Sequence, residues 1–528
     1  MNFIELFAGC GGLSLGLKSV GFELSLANEL SPMAAESYAF NFFNEDLRAQ
    51  AESKKTTLKK TLWLNSQYEL SDLKHRLREN PQSYPALGEG KTDIAANGEN
   101  IKGSLIVGSI VHLNNWLTQH PKIAETLKKG FGTGGIDLVS GGPPCQSFSM
   151  AGLRKQTCEK NSLPWEFVKF AQLIQPKIVL LENVTGILRP FKDTEGNRYY
   201  AWFELAKAFS GIGYIPLCLH INAKFVGVPQ NRPRFVLIGI RSNFFDMLTP
   251  SFNNAEKRLF AEPVTFFNRI KQGEEIAFGA MNYRDVSKAS DFELFKNSFL
   301  SPLVVCHNKT VSVYEAIDDL RKQGDHVKYA SELLRTFGKI LPTRVMSNHE
   351  YRRNNERVRR RFRIYQVLNQ VSNETSKEVF NILKGQSTNL SDIAWRQLAI
   401  FDYLIESEEF MIFKTKDSFI AFLNRHQTKK QTQKALIATI PAPAALSIPD
   451  DGCHYHRDEL RTLTVREMAR IQSFPDNFEF RSKVTTGGKM RAFEVPQYTQ
   501  VGNAVPPLLG RALGLAIANL LNRHTSNS

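Results

Sequence analysis

Short apolar runs that end at a glycine or an acid, with segments of helical period between them, set the pattern from the N-terminus to about residue 241. Phe3-Ile4-Glu5-Leu6-Phe7 predicts a strand that runs directly into Ala8-Gly9-Cys10-Gly11-Gly12. A second run, 22–27, ends at Glu29, and Ser31-Pro32 then supplies a helix N-cap with proline in the first turn. Further strands are predicted at 105–107, 136–139, 178–181 and 235–240, with helices such as 165–174 and 202–209 between them. This alternation predicts an α/β fold, a mostly parallel sheet with helices on both faces.

Two stretches break the pattern. Residues 46–100 are polar and lysine-rich, and they read as an insertion on the surface of the sheet domain. Residues 242–460 show no regular β-α alternation and read as a separate domain. Within it, 352–363 holds seven arginines in twelve residues against one acid, Glu356, and Tyr351, Val358, Phe362 and Tyr365 share a helical face. One acid cannot neutralise seven bases locally. Phosphate contact is therefore expected ahead of a solvated helix whose arginines pair with carboxylates elsewhere. There is no internal repeat and no low-complexity tract.

Composition narrows the class. With 528 residues, 42% apolar and 23% charged, the chain is long enough for several domains and is not a disordered sequence. Lys plus Arg number 67 against 52 for Asp plus Glu, and the resulting +15 favours a polyanionic partner. No apolar run of about 18 residues occurs, so no membrane span is expected. The start, Met1-Asn2-Phe3-Ile4-Glu5, has no basic leader segment. Six scattered cysteines do not make a disulfide framework, and a cytosolic protein with reduced thiols is expected.

The candidate chemistry lies where the strands end. In an open parallel sheet, ligands bind beyond the carboxyl ends of the strands. Gly9, Gly11 and Gly12 follow the first strand, Glu29 the second, Cys145 the strand ending at Val139, and Glu182 the strand ending at Leu181. A glycine loop lets a ligand approach the backbone beside a helix N-terminus, and an acid closing the next strand suits ribose hydroxyls. Together they predict a nucleoside cofactor; the loop lacks the G-x-G-x-x-G spacing of dinucleotide enzymes. Gly141-Gly142-Pro143-Pro144-Cys145-Gln146 is a stiff, polar loop presenting a thiol. That setting favours a nucleophile over a small buried hydrophobe. Glu182-Asn183-Val184 could otherwise be a helix cap. Beside the cysteine loop, with a raised pKa, Glu182 would serve as proton donor to a ring nitrogen. Arg232 and Arg234, just before the strand at 235–240, could bind a substrate carbonyl and a phosphate, or form a structural salt bridge. Cys453, His454 and His456 lack a second cluster and are read as loop residues rather than a zinc site.

Taken in order, these segments resemble the DNA (cytosine-5)-methyltransferase family of prokaryotic restriction-modification systems. The stretch from Phe3 to Gly12 looks like its cofactor motif, and Pro143-Pro144-Cys145-Gln146 like its catalytic loop. Glu182-Asn183-Val184 and Gln230-x-Arg232-x-Arg234 match two more motifs. Leu463-Thr464-Val465-Arg466-Glu467, itself a capping box, resembles the motif that braces the recognition domain. Gly502-Asn503-Ala504-Val505-Pro506-Pro507 resembles the last motif, whose helix returns to the sheet domain.

The resemblance implies a Rossmann-like methyltransferase domain over 1–241 plus 485–528, with 46–100 as its insertion, and a target-recognition domain over 242–484. It implies S-adenosyl-L-methionine as cofactor, lined by Phe7, Gly9, Gly11, Glu29, Ser109, Pro143 and Asn503. Ser109 is a departure, since the family usually has an aspartate there, reaching the adenine amino group. Cytosine in double-stranded DNA is the implied substrate. Cys145 would attack C6, Glu182 would serve N3, and Arg234, helped by Arg232, would hold O2. A monomer is expected, with a restriction endonuclease acting on the same site as a further partner. An RNA cytosine-5 methyltransferase is the alternative the large variable region disfavours. A catalytically inactive DNA-binding regulator is disfavoured by intact Cys145, Glu182 and Arg234. The first motif starts at Phe3, so regulation through a preceding helix-turn-helix is not expected.

Overall fold

All six expected strands join one nine-stranded sheet in a computed structural model of the chain, which describes residues 1–53, 57–144, 162–192, 198–338, 346–429, 433–444 and 447–525. The strands are β1 (Asn2–Leu6), β2 (Glu23–Glu29), β3 (Thr61–Trp63), β4 (Ser104–Val107), β5 (Leu138–Gly141), β6 (Ile178–Val184), β7 (Tyr214–Asn222), β8 (Pro233–Arg241) and β9 (Arg284–Asp285). Side by side they run β9-β7-β8-β6-β5-β1-β2-β4-β3. From β6 across to β3 every pairing is parallel, while β8 is antiparallel to both β6 and β7. The carboxyl ends of β1 to β6 therefore share one edge, and the start of β8 meets them there.

Ten helices matter to the argument: α1 (Gly12–Lys18), α2 (Pro32–Phe43), α3 (Ile110–Gln119), α4 (Leu163–Ile174), α5 (Ala201–Gly211), α6 (Asn254–Lys271), α7 (Glu356–Leu368), α8 (Val465–Ile471), α9 (Gln497–Asn503) and α10 (Pro507–Thr525). Side chains alternate across the sheet. Ile4, Leu6, Val139, Val179 and Leu181 face one core, shared with α3, α4 and α5. Phe3, Leu138, Ile178, Leu180, Val236 and Ile238 face the other, shared with α1 and α10. The strands are buried on both faces, which is why they read as unbroken apolar runs. Among the described residues, no single helix is long and apolar enough to cross a membrane.

Three expectations need correction. The insertion at 46–100 does not lie wholly on the surface: its Thr61–Trp63 forms the edge strand β3, and Trp63 is fully buried. The boundary expected at 242 is not where the sheet's core ends. Phe244, Phe252, Leu259, Phe295 and Leu303 pack into the same core as β8, and β9 extends the sheet. A separate core begins later, around Phe362, Tyr365, Val379, Tyr403 and Phe419. The third correction concerns 352–363. Arg359 pairs with Glu408, Arg360 with Glu356 at 3.0 Å and with Glu408 at 3.5 Å, and Arg363 with Asp402 at 2.5 Å. These three hold the hairpin at 402–412 to α7. Arg352, Arg353 and Arg357 remain exposed and are the ones open to phosphate.

Candidate functional site

The cofactor loop begins where β1 stops. Phe7, Gly9 and Gly11 take positive φ values of 56, 56 and 94°, and the chain turns sharply into α1. At Gly11 a Cβ would sit 2.3 Å from the Phe42 ring, so close packing demands glycine there. At Gly9 a Cβ would meet nothing within 4 Å, which leaves open space above the backbone. Glu29, at the end of β2, faces that space. Its Oε2 accepts from Gly9 N at 2.7 Å and its Oε1 from Ser31 N at 2.8 Å. Burial pushes the Glu29 carboxyl above the usual range, and these backbone donors oppose the shift. A Cβ on Gly12 would lie 2.2 Å from Val505 O, so the turn after α9 abuts the loop and brings exposed Asn503 to its side. Open backbone, a carboxylate able to take hydroxyls, and a polar side chain opposite suit a ribonucleoside cofactor. Ser109 does something else as well: its Oγ accepts from Val111 N at 3.2 Å and caps α3.

A second constellation lies two strands away on the same edge. Glu182 Oε1 is 2.6 Å from Arg234 Nε, with each side chain about 10% exposed. The other oxygen, Oε2, lies 3.0 Å from where a Cβ on Gly142 would stand. Gly142 thus lets the loop leaving β5 pass against the carboxylate. Asn183 Nδ2 donates to Pro143 O at 3.0 Å and fixes that loop, and Pro143 is buried. Cys145, the expected nucleophile, lies outside the described residues. Burial holds Arg234 below its ordinary pKa, with Glu182 opposing. The pair can offer a planar heterocycle a cationic donor and a carboxyl group side by side.

Arg232 sits differently. Its Nη2 donates to Gly502 O at 2.8 Å and Ala504 O at 3.1 Å. The guanidinium braces the last motif's turn. Burial, and after it the Arg234 charge, lower its pKa well below the ordinary value. Gln230, singled out only as part of a motif, is fully buried and joins three segments. It donates to Pro443 O at 2.9 Å and accepts from Gln472 Nε2 at 2.8 Å. Asn183 and Gln230 were both legible as motif members, yet their roles depend on partners 40 to 242 positions distant.

The bracing motif forms as its sequence dictates, with Thr464 capping α8 and Glu467 returning the bond. Glu467 also takes both Arg461 Nη atoms, at 2.8 and 2.7 Å. His454 lies fully buried beside them and Cys453 is a buried free thiol; the backbone N of His456 donates to His454 Nδ1 at 3.0 Å.

The family model of C-5 cytosine-specific DNA methylases matches residues 1–63 and 110–519. The chain is similar to the Type II methyltransferase M.DdeI of Desulfomicrobium norvegicum, 26% identical over 537 residues, covering 99% of this chain and 91% of that one. It is similar also to the Type II methyltransferase M.Bpa9945I of Bacillus paralicheniformis, 25% identical over 569 residues, covering 99% and 100%. A shorter stretch of 110 residues is 43% identical to the orphan methyltransferase M.SPRI of Bacillus phage SPR, covering 20% of this chain and 24% of that one. The chain therefore belongs to the C-5 cytosine-specific DNA methylase family and is a methyltransferase of that class.

Proposed function

We propose that the chain methylates C5 of a flipped-out cytosine in duplex DNA, using S-adenosyl-L-methionine and a transient bond from Cys145 to C6, as the modification partner in a restriction-modification system. The observation that carries this reading is the buried Glu182–Arg234 pair, 2.6 Å apart, beside the loop that leads into Cys145. When bound, the cofactor supplies an electrophilic methyl group on a sulfonium. Phe7, Gly9, Gly11, Glu29 and Asn503 would hold it, with Glu29 taking the ribose hydroxyls.

Cytosine C5 is a poor nucleophile until the ring is activated. A free thiol has a pKa of about 8.5, so Cys145 reacts through a minor thiolate population unless its surroundings help. The Cys145 sulfur adds to C6, and the electron pair of the C5–C6 double bond moves into the ring. Glu182 meets the charge arising at N3 with a proton or a hydrogen bond, and Arg234 holds O2. C5 then takes the methyl group, H5 leaves as a proton, and the C6–S bond breaks to return Cys145. Removing the base from the stack costs a few kcal/mol, which phosphate contacts to this +15 chain offset. The body with its own core, from α7 to about residue 460, is assigned to target recognition, where major-groove side chains would read the sequence. The enzyme would act in the prokaryotic cytosol as a monomer, because one target base needs one site, with a cognate endonuclease cutting unmodified copies of the same sequence.

The test is expression in a bacterium lacking cytosine methylation, followed by bisulfite sequencing, with Cys145→Ala as control. Protected cytosines in one short recurring sequence, lost in the control, are expected. No protection from folded protein that still binds S-adenosylhomocysteine would overturn the DNA reading in favour of an RNA substrate.

A further inference from the structure

The family model stops at residue 63 and resumes at 110, and the segment it leaves out carries most of the insertion. Its placement is specific. Strand β3 runs parallel to β4 and so delivers Leu64 and Asn65 to the carboxyl edge. Leu64 N donates to Val107 O at 2.9 Å, and Gly108 N donates to Glu29 O at 2.9 Å, which makes a continuous line from the insertion to the ribose acid. Gly108 has to be glycine, because a Cβ there would lie 2.9 Å from Leu64 O.

Tyr84 closes this line. Its Oη donates to Leu30 O at 3.2 Å, and Leu30 directly follows Glu29. Leu30 is 41% exposed, an apolar surface lying next to a carboxylate at the ligand-binding edge. Tyr84 is half-buried, and burial, with the Glu79 and Glu29 carboxylates nearby, pushes its ionisation upward. The loop is tied down at several points. Asn65 Nδ2 donates to Pro85 O, and Gly90 N donates to Asn65 Oδ1 at 3.1 Å. Arg76, almost fully buried, joins Asp93 at 2.6 Å and lies over the Trp63 ring.

We propose that Tyr84 of the insertion forms the adenine wall of the cofactor site, its ring and Leu30 flanking the base whose ribose is held by Glu29. The inference rests on the proposed cofactor reading. It follows from geometry: a base attached to a ribose at Glu29 reaches the adjoining residue, and there the chain offers an exposed leucine and an anchored aromatic ring. Ser109, on the same edge, already caps α3. Aromatic rings bind nucleobases chiefly through stacking, which tolerates loss of the hydroxyl but not of the ring.

Isothermal titration with S-adenosylhomocysteine tests it without turnover. Loss of one stacking ring should weaken binding roughly 5- to 100-fold in Tyr84→Ala, whereas Tyr84→Phe should stay within about threefold of the wild type. A structural role alone would show as a lowered melting temperature in both variants and no rescue of affinity by phenylalanine. If Tyr84→Ala does not fold, the wild-type protein serves. Irradiated with S-adenosylhomocysteine carrying an azido group on adenine, it should be labelled in the tryptic peptide spanning 79–91. Unchanged affinity in Tyr84→Ala, or label confined to other peptides, overturns the inference while the cofactor reading stands. Wild-type protein that neither binds S-adenosylhomocysteine nor takes label overturns both.

Discussion

Glu182 stands opposite Val236 in the antiparallel pair β6–β8, and Arg234 reaches it diagonally from two residues along, closing to 2.6 Å. Both side chains are about nine-tenths shielded. The relationship is built by sheet register, so neither residue can be moved without shifting a central strand.

Removing one member of a buried pair leaves the other charge uncompensated, at a cost of about 3–5 kcal/mol. Arg234→Ala should therefore lower the urea midpoint markedly as well as abolish methylation. Glu182→Gln keeps the shape and removes the acid; a positioned acid contributes about 10²–10⁴-fold, so methyl transfer should fall by that order. Transfer of tritiated methyl groups to DNA checks the second variant. Wild-type rates in Glu182→Gln would exclude Glu182 from the chemistry.

Gly16 tests the packing that holds the cofactor loop. A Cβ there would lie 2.4 Å from Arg511 N and Gly510 C, backbone atoms of α10 that cannot swing aside. Alanine is worth up to about 1 kcal/mol over glycine in a free helix. Overpacking of this kind costs about 1–3 kcal/mol, so the clash should win. Gly16→Ala is expected to be less stable in urea; a more stable variant would mean that α1 and α10 are not in contact.

The arginine segment gives opposite expectations for neighbouring residues. Arg353 and Arg357 are exposed, while Arg363 is buried against Asp402 and the carbonyl of the same residue, at 2.5 and 3.0 Å. Arg353→Ala with Arg357→Ala should leave the melting temperature unchanged and weaken DNA binding. The slope of log affinity against log salt should fall by about one per lost phosphate contact. Arg363→Ala should do the reverse. Equal salt slopes in wild type and the double variant would remove this arginine segment from the DNA surface.

Sequence legibility followed the range of the interactions. Loops with unusual backbone needs were plain, because Gly9 and Gly11 take positive φ, a local demand, and the strands leading to them are buried on both faces. β7 was missed: Pro216 argues against a central strand, yet its outer neighbour β9 pairs only at Leu219 and His220, leaving Pro216 no ladder on that side. β3 was missed because three residues in a lysine-rich stretch show no period. The arginines of α7 read as unpaired because Asp402 and Glu408 lie some 40 to 50 residues downstream. The bracing contact of Arg232 was hidden for the same reason, its carbonyl partners being about 270 residues away. The residues of 145–161 carry the expected nucleophile and lie outside the described structure.

Acid sensitivity should centre on His454. The ring is fully buried, and burial lowers its pKa to about 4 from an ordinary 6.5, with Glu467 pulling the other way and Arg461 adding to the fall. The unfolded chain binds a proton here below pH 6.5, whereas the folded chain resists it down to about 4. Stability from this residue is thus fully present above pH 6.5 and is lost as the pH falls from 6.5 towards 4, by an amount on the order of 3 kcal/mol. His454→Gln removes the titration. Its unfolding free energy, measured in urea at half-unit steps from pH 7.5 to 4.5, should fall less steeply than that of the wild type. Parallel curves would mean that His454 takes up its proton in the folded state as readily as in water, and that the Arg461–Glu467 pair beside it opens to admit the charge.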